Sequence, residues 1–232
     1  SGRFLRPFRR TVIVTDNQKK ARTVIEVYTS PTPNGIKVPI ALEELGWPYR
    51  LHRVDLSRGG LAVPELVAIN PNAKIPAIID RLADGQSVPV FESGAILLYL
   101  AGLKPGLIPT DAVARASTLS WLFLQVAGLG PNFGNAAFFL RNDPSNLVAV
   151  ERFHSEAQRH LSVLDQRLSE AAWLNGESYS IADIAHFGWV RSASYARLKL
   201  SDHPFASEWV ERIERRENVR RALERCEGES LA

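Results

Sequence analysis

NAKIPAIIDRLADGQSVPVFESGAIL, residues 72–97, carries the order of elements that decides the fold. Pro76–Asp80 and Val88–Phe91 read as two short strands joined by the loop Ala83-Asp84-Gly85-Gln86. Ser93–Ala101 follows as a helix with Ile96, Leu97 and Leu100 apolar. Upstream, the β-branched Val24–Tyr28 reads as a first strand. Thr32-Pro33-Asn34 then opens a helix, with a hydroxyl at the N-cap and proline at the first helical position. Val38, Ala41, Leu42 and Leu45 give that helix an inward face, and Gly46 stops it. Pro39 removes the bond from its own nitrogen to the Gly35 carbonyl, so a kink is expected near the first turn. Tyr49–Val54 is the second strand, reached by a right-handed parallel crossover, and Pro64–Ile69 reads as a short helix.

Strand, helix, strand, helix, strand, strand, helix is the thioredoxin arrangement. Lys104-Pro105-Gly106 through Pro109-Thr110-Asp111 has the composition of a linker. Beyond it the patterns are helical, over about 112–127, 146–171, 181–197 and 205–226. The expected organisation is a basic N-terminal extension over residues 1–22, an α/β thioredoxin-like N-terminal domain over 23–103, and an all-α C-terminal domain over 112–232.

The bulk properties narrow the function. The chain has 232 residues, 45% hydrophobic and 23% charged, which are globular proportions. Its net charge of +3 is uneven. Residues 1–22 hold seven basic residues against Asp16 alone, +6, which leaves −3 for residues 23–232. The body is mildly acidic, so a nucleic-acid groove is not expected. No apolar run approaches the ~20 residues of a membrane span, and Thr11–Thr15 is too brief for a secretory segment. One cysteine, Cys226, permits no internal disulfide, and a reducing cytoplasm is the expected location. His52, His154, His160, His186 and His203 show no metal-ligand spacing, so no metal is expected. Gly128-Leu129-Gly130 with Gly134 lacks the spacing and the preceding strand of a nucleotide loop. Phe123, Phe133, Phe138 and Phe139 read mostly as core, with the alternative that some line a hydrophobic pocket.

Three local motifs carry chemistry or structure. A proline at the entrance of a strand, as in Asn72-Ala73-Lys74-Ile75-Pro76, gives up a ladder donor. With a cis bond, the Ile75 backbone would turn outward and could pair with an extended peptide; an ordinary trans proline at a sheet edge reads the same way. Glu92-Ser93-Gly94-Ala95 starts a helix whose free N–H groups and Ser93 hydroxyl suit a carboxylate, while Glu92 suits an ammonium. Together they fit an amino-acid head group, while in isolation plain capping by Ser93 with a solvated Glu92 is the simpler reading. Ser180-Ile181-Ala182-Asp183 is a capping-box variant with a structural role.

Taken with Thr32-Pro33-Asn34-Gly35, these motifs make residues 24–226 resemble a glutathione transferase, and more narrowly the Nu class, the bacterial relatives of the fungal nitrogen-regulatory transferase-like proteins. The resemblance implies that Thr32 and Asn34 are the catalytic residues facing the glutathione sulfur. It also implies that Ile75 and Pro76 hold the cysteinyl backbone, Glu92 and Ser93 the γ-glutamyl end, and Lys74 the glycyl carboxylate. Arg152 matches an arginine that contributes to the glutathione site, across a dimer interface in this reading. Leu61 departs from the class, which often has a glutamine there. Glutathione is then the cosubstrate, with a small organic disulfide or electrophile as second substrate, a homodimer as the assembly, and neither nucleic acid nor membrane as partner. The expected activity is glutathione-dependent disulfide reduction. The alternatives are conjugation to electrophiles, thioether cleavage, or a non-catalytic glutathione-binding regulator.

Overall fold

The computed structural model describes residues 22–58, 63–176 and 178–228. The first half contains β1 (Arg22–Thr29), α1 (Lys37–Leu45), β2 (Tyr49–Arg53), α2 (Pro64–Ile69), β3 (Ala77–Leu82), β4 (Ser87–Phe91) and α3 (Ser93–Leu103). The second contains α4 (Ala112–Leu124), α5 (Gly130–Asn142), α6 (Leu147–Glu170), α7 (Ile181–Arg191), α8 (Pro204–Glu214) and α9 (Glu217–Gly228). The expected α/β half with a helical half is the fold observed. The basic extension before Arg22, and Leu61, lie outside the described residues.

The sheet has the order β2-β1-β3-β4. β1 and β2 are parallel, and β3 runs antiparallel to both β1 and β4. The two-residue period of β1 sends Ile25 and Val27 to the face covered by α1 and α3. Val38, Leu42, Ile96, Leu97 and Leu100 close that face, each fully buried. Burial of each such side chain contributes about 1.5–3 kcal/mol. On the opposite face Leu66 and Ile69 of α2 pack on Val54 and Ala77. The larger core does not stop at the linker: Leu107 is buried, and its carbonyl accepts from Ile181 N–H at 2.9 Å. The same cluster continues through Leu122, Phe133, Leu161, Phe187 and Trp209.

Several details differ from the sequence reading. The regular helix α1 begins at Lys37, not at Thr32-Pro33, because residues 31–36 form turns. The N-cap is Ile36 and not Thr32, whose hydroxyl accepts from Gly35 N–H at 3.1 Å within the preceding turn. Pro39 therefore falls in the first turn, where a missing N–H costs no helical bond. The Gly35 carbonyl that Pro39 cannot reach accepts from the Thr29 hydroxyl at 2.8 Å. The Ile75–Pro76 bond is cis.

The helix over 112–127 does not stop there. A π turn, Gln125–Leu129, joins α4 to α5, a helix the glycines and Pro131 concealed. The wide turn seats Gly130 N–H on the Gln125 carbonyl and leaves Pro131 at the start of α5, where its ring is tolerated. Gly128 is required by packing, since a Cβ there would lie 2.5 Å from His160 Nε2. The resulting Ala112–Asn142 helix of 31 residues is long and apolar enough, by length and composition, to cross a membrane, with 22% of its most apolar 18-residue window buried. The absence of such a run, expected from the sequence, is thus corrected. Phe133 is core, but Phe123 and Phe138 are exposed on this helix. The expected 181–197 helix ends at Arg191, and the 205–226 helix divides at Arg215-Arg216.

The capping box at α7 is present. Ala182 N–H donates to Ser180 Oγ, and Ser180 N–H and Oγ both donate to Asp183 Oδ2 at 3.0 Å. Asp183 Oδ1 also accepts from Leu174 N–H and Trp209 Nε1, at 3.1 and 3.0 Å. Burial pushes its carboxyl up to about 6 in spite of these four donors. Asp183→Ala orphans buried donors and should cost roughly 3–5 kcal/mol in urea unfolding; a loss below about 1 kcal/mol would contradict the assignment.

Candidate functional site

A cleft of about 380 Å³ opens where the two halves meet. Asn34 enters it from the turn before α1, Glu92 and Ser93 from the start of α3, Gln125 from the π turn, and Trp189 from α7. No cysteine lines it; the one cysteine, Cys226, is buried on α9.

Asn34 is held by two donors from different parts of the chain. Its Oδ1 accepts from Lys37 Nζ at 2.8 Å and from Trp189 Nε1 at 2.9 Å. An ammonium and an indole N–H can only donate, so the amide oxygen must face them. The Asn34 NH₂ group is then the end available to a ligand, a donor of neutral hydrogen bonds in a partly desolvated place. Two residues earlier, the Thr32 hydroxyl spends a lone pair on Gly35 N–H and keeps its own proton to donate.

Lys37 was not anticipated. It is 1% exposed, and its Nζ donates to Asn34 Oδ1, to Gln125 Oε1 at 2.9 Å and to Ser93 Oγ at 3.3 Å. Burial lowers its pKa to about 7, and the Glu92 charge opposes that fall. The sequence of α1, KVPIALEEL, gives no local sign of this: three of its nine residues are charged, and the lysine at its head reads as a solvated end.

Glu92 stands at φ 69° and ψ 119°, a conformation that costs a non-glycine residue of order 1–3 kcal/mol. Its carbonyl accepts from Ile96 N–H, which opens α3, so the carboxylate stands beside that helix's N-terminus. Ile75 is half-buried just before β3, and no described group bonds to its backbone. Lys74 is exposed, while Pro76 is buried. Arg152 lies elsewhere, on α6, 71% exposed and 3.9 Å from Glu156, and does not line the cleft. Of the expected site residues, Asn34, Glu92 and Ser93 line one cleft, Thr32 adjoins it in sequence, and Arg152 is separate.

A second hollow, about 300 Å³, shares Gly134 and Trp189 with the cleft and adds Pro33, Phe138, Arg141 and Tyr195. Among the described residues no cluster of three His, Cys, Asp or Glu could hold a metal ion.

Residues 23–102 match the glutathione S-transferase N-terminal domain, and residues 135–217 match the glutathione S-transferase C-terminal domain. The chain is 46% identical over 203 residues to the disulfide-bond oxidoreductase YfcG of Escherichia coli K12, covering 86% of this chain and 94% of that protein. Its fold is similar to a glutathione transferase family member from Pseudomonas fluorescens, solved with two glutathione bound. That likeness has a TM-score of 0.80 and 40% identity, over 86% of this chain and 92% of the other. A glutathione transferase from Pseudomonas putida, solved with one glutathione disulfide per subunit, gives a TM-score of 0.80 and 38% identity, over 86% and 90%.

The turn bearing Asn34 is pressed against α7. A Cβ on Gly188 would lie 2.3 Å from the Pro33 carbonyl oxygen. Gly188→Ala should therefore push the Pro33-Asn34 backbone outward and destabilise by about 1–3 kcal/mol, the usual cost of overpacking. Urea unfolding measures this, and an unchanged midpoint would show that the contact gives way freely.

Proposed function

The chain belongs to the glutathione S-transferase family, and from that premise we propose that it reduces disulfide bonds with the thiolate of a glutathione held beside Asn34. The observation that carries this reading is the clamped Asn34 amide in a cleft without protein sulfur. Thiol chemistry here must use the tripeptide's own sulfur.

A free thiol near pKa ~8.5 is only a few per cent ionised at neutral pH. Lowering it by two units takes about 2.7 kcal/mol of preference for the anion. A helix dipole supplies roughly 0.3–1 kcal/mol. Hydrogen bonds to a charged acceptor supply about 1.5–3 kcal/mol each. The dipole alone is too weak, and donors from Thr32 and Asn34 Nδ2 make up the difference.

In the reaction, the glutathione thiolate attacks one sulfur of the substrate disulfide. A mixed disulfide forms as the S–S bond breaks, and the departing thiolate takes a proton from solvent. A second glutathione thiolate then attacks the mixed disulfide at the glutathione sulfur. Glutathione disulfide leaves with both electrons' worth of oxidation, and the second substrate thiol is released. The γ-glutamyl end sits at Glu92 and the N-terminus of α3 with Ser93. The cysteinyl backbone pairs with Ile75, presented by Pro76, and Lys74 lies toward the glycyl carboxylate. Arg152, exposed and outside the cleft of its own chain, serves the site of a partner copy. A homodimer also accounts for the exposed Val113 and Phe123 on the long α4–α5 helix and for Phe91 beside α3.

The aromatic hollow formed by Phe138, Trp189 and Tyr195 favours a second reading, conjugation of glutathione to an apolar electrophile. Parallel assays with a small organic disulfide and a chloronitroaromatic electrophile separate the two. Faster turnover of the disulfide is expected.

Thr32→Ala and Asn34→Ala should each lower disulfide turnover about tenfold or more, as expected if each donor supplies about 1.4 kcal/mol in the transition state. Cys226→Ser should leave turnover unchanged. Full activity in both donor variants would refute the mechanism.

A further inference from the structure

Lys37 is the one fully buried Lys or Arg among the described residues. An ammonium has three N–H bonds to give, and all three are used, on Asn34 Oδ1, Gln125 Oε1 and Ser93 Oγ. These acceptors stand on three separate elements: the turn before α1, the π turn and the start of α3. Each belongs to a residue lining the cleft. Lys37 thus has no hydrogen left for a ligand and can act only through groups that meet one. Among the described residues no carboxylate bonds to it.

Stability does not explain this arrangement. A buried charge with no bonded counter-charge is costly, and an apolar side chain of similar volume is often neutral or better in such a place. The arrangement has a use when the cleft receives an anion. We propose that Lys37 is a positioning residue for the glutathione thiolate: it holds the Asn34 oxygen so that the amide NH₂ faces the sulfur, and its buried charge is the counter-charge for that anion. The inference rests on the disulfide-reductase reading above.

The titratable groups around the ammonium are few. Glu92 on α3 favours the charged lysine. His186 on α7 is held neutral, its pKa lowered to about 3 by burial, with Lys37 itself and His160 on α6 adding to the fall. Burial works against the charged lysine, and a thiolate close by would favour it.

The test is a titration of the bound glutathione thiol, followed by its thiolate ultraviolet absorbance, in the wild type and in Lys37→Met. The variant should melt at the same temperature or higher. Its bound thiol should titrate at least one unit higher, leaving about tenfold less thiolate at neutral pH, and kcat for disulfide reduction should fall by a similar factor. A folded variant with an unchanged thiol titration overturns the proposal and leaves the disulfide-reductase reading intact. A wild type with no thiolate at neutral pH takes both down. Should Lys37→Met fail to fold, Lys37→Gln takes its place, since it keeps a donor near the Asn34 oxygen and removes the charge. Its bound thiol should also titrate higher than in the wild type, and an unchanged titration overturns the proposal.

Discussion

One amide oxygen ties the two halves of this molecule together at the place where its chemistry occurs. Asn34 Oδ1 receives Lys37 from the α/β half and Trp189 from the helical half, 155 residues away in sequence. Both partners are obligate donors, so the side chain has one orientation and its NH₂ group faces the cleft. The rest of the site is arranged around that constraint. The same lysine reaches the Ser93 hydroxyl and the Gln125 amide, and Gly188 lets α7 come close enough for Trp189 to reach Asn34.

Holding that orientation requires the helical half to be fixed against the sheet. A continuous core runs from Val27 and Leu42 to Phe187 and Trp209. At the far end, α9 is fastened to α1 by charge. Arg221 and Arg225 pair with Glu43, and Arg216 makes two bonds to Glu44 at 2.6 and 2.9 Å. Arg225 also lies 3.9 Å over the Tyr49 ring. The glutamates are almost buried while the arginines are partly open, a geometry in which bidentate guanidinium–carboxylate pairs are worth more than exposed ones. Asp183 does the corresponding work inside the helical half, joining the α7 cap to α8 through Trp209.

What could be read from the sequence was what is encoded locally. The β3–β4–α3 run, the αL stop at Gly46 and the Ser180–Asp183 cap all depend on neighbours within a few residues. Glu92 and Ser93, which line the cleft, were likewise legible as a short motif at an element boundary, whereas Asn34 was singled out only through the family resemblance. Contacts made over long separations were not. The split between α8 and α9 has no glycine or proline to announce it, and it falls where Arg216 turns back to Glu44 and lies 4.1 Å over the Tyr179 ring. α5 was hidden by Gly128, Gly130, Pro131 and Gly134, which usually break helices but here permit a π turn and close packing. Lys37, Gln125 and Trp189 acquire meaning only once three elements converge, so motif reading passed over all three.

The position of the glutathione sulfur decides whether this chemistry is possible. A crystal structure with glutathione bound should place its sulfur within about 3.5 Å of Asn34 Nδ2 and Thr32 Oγ1, the reach of a hydrogen bond to an anion, with Lys37 and Trp189 still on the Asn34 oxygen. A sulfur turned away from both donors, or an Asn34 amide released from its two clamps, would contradict it.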